Sequence, residues 1–83
     1  MKLCKYAKFR EERFGGVLFE TRSEKVFTLN PTAAAVVREI GTGANERAII
    51  EHLKARFEDR QGLMEPEAAA FIAELRQKGF IED

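Results

Sequence analysis

The sequence predicts an α+β fold in which a three-stranded antiparallel sheet is followed by three helices. Before Asn30, aromatic, β-branched and charged residues alternate roughly as they do in half-buried strands, whereas Ala, Leu, Ile and Glu recur at helical spacing after it. No strand-like segment lies between two helix-like segments, so a parallel sheet with crossover helices is not expected. We expect one domain over residues 1–83.

Three segments predict the sheet. Residues 5–13 mix aromatic and charged side chains, which suits a half-exposed edge strand. Val17–Thr21 and Lys25–Leu29 are more regular strands, and the connection between them has the right length for a hairpin. The pair Gly15-Gly16 before the second strand predicts a plain turn, with a bulge or a positive φ as the alternative.

The first helix has a start signal with a physical mechanism. The Asn30 side chain can accept a hydrogen bond from a first-turn amide that has no helical partner. Pro31 has no backbone N–H, and at the first helical position an N–H would have no helical acceptor. The apolar residues that follow recur at helical spacing up to Ile40, which predicts one buried stripe. The Gly41-Thr-Gly43 segment is expected to end the helix.

Similar signals predict the other two helices. Asn45 is the expected cap of the second helix, which should end near Asp59. Pro66 is expected to open the third helix and Gly79 to end it, and the short apolar tail at residues 80–81 should pack back on the core. A three-stranded sheet packed on three helices is the geometry of a winged-helix module.

Charge and cysteine content exclude several classes of protein. Fourteen basic and fourteen acidic residues cancel, whereas nucleic-acid binding usually needs a basic stripe. Cys4 is the single cysteine, so no internal disulfide is possible, and with no secretory signal in the sequence the cytoplasm is the expected compartment. No apolar run approaches the roughly 20 residues that span a bilayer, so no membrane partner is expected.

No constellation of chemically active residues stands out. His52 is the only histidine, and the sequence indicates no second ligand or orienting group for it; Cys4 has no neighbouring histidine in the sequence. Adjacent carboxylates such as Glu58 and Asp59 point apart on a helix or a strand. The glycine pairs lack the spacing of phosphate loops. We therefore expect no catalytic residues, no metal and no cofactor, and we look for function in an exposed strand edge that a peptide can extend.

Four segments carry a family resemblance. They are Gly16-Val-Leu-Phe, Val26-Phe-Thr-Leu-Asn-Pro-Thr-Ala, Ile49-Ile-Glu-His-Leu and Phe71-Ile-Ala-Glu-Leu-Arg-Gln-Lys-Gly-Phe-Ile. In this order and spacing they resemble the PqqD-like family of small precursor-peptide recognition elements, over about residues 6–82. The Phe-Gly-Gly lead-in also resembles the related mycofactocin-type chaperones. The Asn-Glu-Arg start of the second helix and the loop before Pro66 depart from the family pattern.

The resemblance implies a function in peptide modification. It implies a domain that is not itself an enzyme, binds the leader region of a ribosomally made precursor peptide, and presents it to a modifying enzyme, commonly a radical SAM protein. The leader would add as a strand beside the third strand and lie against the third helix. The contact residues carried over by position are Lys25, Val26, Phe27, Thr28, Leu29, Phe71, Glu74, Leu75 and Lys78.

Several of these residues also have a purely structural interpretation. Phe27 and Leu29 share one face of the strand and Leu75 follows an apolar stripe, so all three fit a core, while Glu74 and Lys78 fit a surface ion pair. Two other functions stay open. One is winged-helix binding of nucleic acid, which the excess of Glu over Arg and Lys on the third helix disfavours. The other is a regulatory module that pairs with itself through the exposed edge, as a homodimer rather than a monomer.

Overall fold

The computed structural model describes residues 1–82. Asp83, expected in a solvated tail, lies outside the described residues. In chain order the elements are β1 (Lys2–Leu3), β2 (Ala7–Glu12), β3 (Gly15–Glu20), β4 (Lys25–Leu29), α1 (Pro31–Gly41), α2 (Glu46–Arg56), α3 (Met64–Gln77) and β5 (Ile81–Glu82). The predicted α+β class, with a three-stranded antiparallel sheet followed by three helices, is confirmed.

The larger sheet has the order β2-β3-β4, so β3 is central and both of its neighbours are edge strands. Leu18 in β3 pairs with Phe9 on one side and with Phe27 on the other, and it is fully buried. One face of the sheet packs on α1, and Leu18 and Leu29 on that face belong to the same apolar core as the buried residues of the three helices. The residues described include no buried polar side chain.

The glycine pair lies inside β3 rather than in a turn, which corrects the expectation of a plain turn. The β2–β3 connection is the two-residue step Arg13-Phe14, and Gly15 already pairs with Glu12. Gly15 has a φ of 142°, so the alternative of a positive φ is the one observed. The second strand consequently begins two residues earlier than predicted.

The termini form a second, two-stranded sheet that the sequence did not predict. Lys2 pairs with Glu82 and Leu3 with Ile81, which makes an antiparallel ribbon of β1 and β5. Cys4 follows directly, is buried, and donates its backbone N–H to the carbonyl of Phe80 at 2.8 Å. The tail at residues 80–81 packs back on the core as expected, and the N-terminal residues Met1, Leu3 and Cys4 also pack on or in the core.

The predicted caps of α1 and α2 are confirmed. The Asn30 Oδ1 accepts a hydrogen bond from the Ala33 N–H at 2.8 Å, and the Asn45 Oδ1 accepts one from the Ala48 N–H at 2.9 Å. None of the helices within residues 1–82 is long and apolar enough to cross a membrane.

The boundary between α2 and α3 differs from the prediction. α2 ends at Arg56 rather than near Asp59, since Phe57 turns into an extended conformation. α3 begins at Met64, two residues before Pro66. A proline in the first turn removes no helical hydrogen bond, so Pro66 is compatible with either start.

Candidate functional site

The free edge of β4 forms one wall of the candidate site. β4 pairs with β3 on one side only, and its other edge presents backbone groups to which no strand within residues 1–82 is paired. Its side chains alternate, with Phe27 half-buried and Leu29 buried on the inner face, and Val26 and Thr28 exposed on the outer face. This edge is therefore open to an added strand.

A row of side chains on α3 forms the facing wall. Four residues spaced four, three and four positions apart share one face of the helix. They are Glu67, Phe71, Glu74 and, at the C-cap position just after the helix, Lys78, and we call them the α3 stripe. The Lys78 Nζ lies 3.0 Å from the Glu74 Oε1, which confirms the predicted i,i+4 pair. Leu75, beside the stripe, is buried in the core.

The two walls meet at one end of the groove. The Lys78 ammonium lies 5.0 Å from the centroid of the Phe27 ring, within the range of a cation–π contact. Phe27 also meets Phe80 edge to face, with ring centroids 5.5 Å apart and an interplanar angle of 89°. These contacts hold the end of α3 over β4.

At the other end, the groove opens into a cleft of about 540 Å³. Asn30, which follows β4, and Phe71, in the α3 stripe, both line this cleft, so it continues the groove. Its floor is apolar and is formed by Ala33, Val36, Met64 and Ala68. The volume lies within the range of roughly 300–1,000 Å³ that is typical of ligand pockets.

The groove has matching lengths along its two walls. From Phe71 to Lys78 the helix rises about 10 Å, at about 1.5 Å per residue. From Phe27 to Asn30 the extended chain also covers about 10 Å, at about 3.3 Å per residue. Since Lys78 contacts the Phe27 ring while Phe71 and Asn30 line the cleft at the other end, α3 and β4 run in opposite directions along the groove. An extended peptide of about three residues spans this distance.

Most charged groups at the mouth of the cleft already have partners. The Arg60 Nε lies 3.0 Å from the Glu58 Oε1, so their charges largely cancel. The Asp59 Oδ1 accepts hydrogen bonds from the backbone N–H groups of Leu63 and Met64, at 3.0 and 3.2 Å. Asp59 thereby satisfies amides at the start of α3 that have no helical acceptor.

The turn before β4 is held by a charged network. The Glu20 carboxylate accepts hydrogen bonds from the Ser23 hydroxyl and, at 2.9 Å, from the Arg22 Nε. The Ser23 bond, followed by the Arg22 bond, lowers the pKa of Glu20, and the same carboxylate raises the pKa of Arg22. The Arg22 guanidinium also lies 4.4 Å from the centroid of the Tyr6 ring. The entry to the edge strand is therefore fixed by side-chain contacts.

The nine residues that the resemblance selected fall into distinct environments. The ring of Phe27, the half-buried Phe71 and the Lys78 side chain are at the groove, together with Glu74 as the partner of Lys78. Leu29 and Leu75 belong to the core. The remaining three, Lys25, Val26 and Thr28, are exposed, and the side chains of Val26 and Thr28 are on the sheet face away from the helices.

The cleft was missed by the sequence reasoning. Its floor combines α1 with the first turns of α3, and the prediction that α3 starts at Pro66 left Met64 outside the helix. The sequence does indicate Glu67 as a further residue of the site, because it precedes Phe71 by four positions and therefore shares the same face of α3. The α2–α3 loop that completes the mouth has no periodic pattern.

The remaining chemically interesting residues lie apart from the groove. The His52 Nδ1 contacts the Glu39 Oε1 on a ring that is 59% exposed. Cys4 is buried beside the terminal ribbon. Within residues 1–82, no three His, Cys, Asp or Glu side chains are grouped so as to hold a metal ion. The arrangement of the groove suits binding through backbone pairing and apolar contact.

Comparison with known proteins identifies the family. The family model described as coenzyme PQQ synthesis protein D (PqqD) matches residues 15–81, so the chain belongs to the PqqD family. No curated protein sequence matches the chain.

Two solved structures share the fold. A lasso peptide synthetase B1 complexed with the leader peptide superimposes with a TM-score of 0.79 at 24% identity, covering 99% of this chain and 96% of that one. TbiB1 in complex with the TbiA(beta) leader peptide gives a TM-score of 0.84 at 17% identity, covering 99% and 95% of the two chains.

Proposed function

We propose that this domain binds the leader region of a ribosomally made precursor peptide and presents the peptide to a modifying enzyme. The leader adds to the free edge of β4 as a fourth strand, and its inward side chains lie between β4 and the α3 stripe. The observation that carries the proposal is the unpaired edge of β4 beside a groove that ends in an apolar cleft. The nine residues selected by the resemblance border or support this path.

The charge pattern favours β4 over β2, the other edge strand of the sheet. β2 carries Lys8, Arg10, Glu11 and Glu12 along six residues, and charged side chains on an edge discourage strand addition. β4 carries a single charge, on Lys25 at its first residue. An incoming peptide therefore meets fewer charges beside β4.

Membership of the PqqD family supports the proposal, as does the likeness to two chains that were each solved in complex with a leader peptide. The partner enzyme that we propose is a radical SAM protein or another peptide-modifying enzyme in the cytoplasm. The domain itself acts by binding, without a catalytic group or a cofactor.

A pair of proline variants tests the proposed strand addition. Successive backbone amides of a strand point to opposite edges, so of residues 27 and 28 one donates toward β3 and the other toward the free edge. Of Phe27→Pro and Thr28→Pro, we expect one to lower stability by breaking the β3–β4 ladder and the other to stay folded but lose peptide affinity. Phe27→Ala is the control for the lost ring, and circular dichroism checks the fold.

Nuclear magnetic resonance locates the bound peptide. We expect a short precursor peptide to be encoded near the gene, and titration of the labelled domain with it should move amide signals of residues 25–29 and 68–78 and leave those of β2 unchanged. If the folded proline variant binds as the wild type does, or if the signals that move belong to β2, strand addition to β4 is wrong.

A further inference from the structure

The α3 stripe carries one charge without a partner. Glu74 and Lys78 pair with each other, so together they add no net charge to the wall of the groove. Within residues 1–82, the Glu67 carboxylate makes no hydrogen bond and no ion pair. Glu67 is exposed at the lip of the cleft, one helical turn from Phe71.

The rest of the cleft lining does not neutralise this carboxylate. The lining contains Glu58, Asp59 and Glu67 against Arg60 alone, a formal charge of −2. Arg60 is already paired with Glu58, and Asp59 is engaged with backbone amides at the start of α3. An occupant of the cleft therefore meets an apolar floor with an uncompensated negative charge at its lip.

We infer that Glu67 selects a leader peptide with a lysine or arginine beside the side chain that occupies the cleft. This inference rests on the proposed binding of a leader along β4. A basic side chain pairs with Glu67 while an apolar neighbour lies on the floor near Phe71, whereas an acidic side chain at the same place is repelled. Glu67 is thus a specificity-determining residue of the peptide groove.

The geometry fixes where the basic residue lies in the peptide. Glu67 and Phe71 are four residues apart on the helix, which is a rise of about 6 Å. An extended peptide covers that distance in about two residues, and residues i and i+2 of a strand point to the same side. The basic residue is therefore expected two positions from the apolar anchor, on the side away from Lys78.

A random-peptide display library tests this assignment even while the precursor is unidentified. Selection is made on the wild type, on Glu67→Gln and on Glu67→Lys. Glu65→Gln serves as the control, because Glu65 lies on another face of α3 and pairs with Lys54 at 3.0 Å. Binders are scored only if they lose affinity for the folded proline variant of β4.

We expect wild-type and Glu65→Gln binders to be enriched in lysine or arginine two positions from an apolar residue. Glu67→Gln should abolish this enrichment, and Glu67→Lys should replace it with Asp or Glu. For a selected basic peptide, Glu67→Gln should weaken binding about two- to fivefold at low salt, as for an exposed ion pair, and the loss should shrink at high salt. A peptide with glutamine at the basic position should bind the two proteins equally.

The possible failures have different meanings. The role of Glu67 is overturned if the peptides that bind the groove show no enrichment in lysine or arginine, or if Glu67→Lys still selects basic peptides. Either result leaves leader binding intact. If no selected peptide depends on β4, the proposed function fails and the role of Glu67 fails with it.

Discussion

Gly15 holds the hairpin of β2 and β3 close to the joint between β4 and α1. Its φ of 142° is a conformation that residues with a side chain rarely adopt. A Cβ placed there would lie 2.2 Å from the Leu29 carbonyl oxygen and 2.5 Å from the Asn30 carbonyl carbon. The approach of Gly15 to the end of β4 and to Asn30, which lines the cleft, therefore leaves no room for a Cβ.

We predict that Gly15→Ala lowers the free energy of unfolding by at least about 2 kcal/mol, because it adds both backbone strain and a contact with main-chain atoms. Urea unfolding measures the change. Gly41→Ala is the matched control, since its Cβ meets only the Leu3 Cδ1 at 3.8 Å. That variant should change stability by less than about 1 kcal/mol. Equal losses in the two variants would show that the close approach of Gly15 is unimportant.

At the scale of the elements, the capped helix starts are the features most directly encoded in the sequence. Both asparagine caps could be read from local sequence, because the cap hydrogen bond joins residues three positions apart. Only the first of the two helices begins at the groove. Removing each cap in turn therefore separates an effect on stability, expected for both helices, from an effect on peptide binding, expected only for the first.

We predict that Asn30→Ala and Asn45→Ala each lower the free energy of unfolding by about 1 kcal/mol, the usual loss for a helix cap. Peptide affinity should fall only in Asn30→Ala, by about two- to fivefold or roughly 0.5–1 kcal/mol, because Asn30 lines the cleft and Asn45 does not. Thermal unfolding and isothermal titration calorimetry measure the two effects. If Asn45→Ala lost as much peptide affinity as Asn30→Ala, the loss in both variants would be due to general destabilisation and not to the position of Asn30 in the cleft.

The boundaries of α2 and α3 show where local sequence reasoning stops. Asp59 looked like the end of α2, yet it satisfies amides at the start of α3. Either role is compatible with a carboxylate between two helices, and the distance between the helices decides which amides it reaches. Because α3 begins at Met64 rather than at Pro66, Met64 lies in the first turn of the helix and contributes to the floor of the cleft.

At the scale of the whole molecule, the terminal ribbon closes the fold. β1 and β5 join residues separated by nearly the full length of the chain, and they lie beside the ring pair of Phe27 and Phe80. Cys4 is 8% exposed and is tied to the carbonyl of Phe80. Its thiol therefore reports whether the ribbon stays closed.

We predict that the Cys4 thiol reacts with Ellman's reagent at least about tenfold more slowly in the native protein than in urea, because reaction requires the ribbon to open. Ile81→Ala should accelerate the native reaction more than Ile50→Ala. The two isoleucines are equally buried, at 8% exposure, but only Ile81 belongs to β5. Equal acceleration would mean that Cys4 is reached through global unfolding instead.

The sequence by itself determined the order of strands and helices, the caps at Asn30 and Asn45, and the strand at Lys25–Leu29 directly before a helix. These features depend on side-chain periodicity and on hydrogen bonds between near neighbours in the chain. Only the tertiary structure decided the β1–β5 ribbon, the apolar cleft, and the position of Glu67 at its lip without a partner. Each of these brings together residues that are distant in sequence, and a local pattern carries no information about such distances.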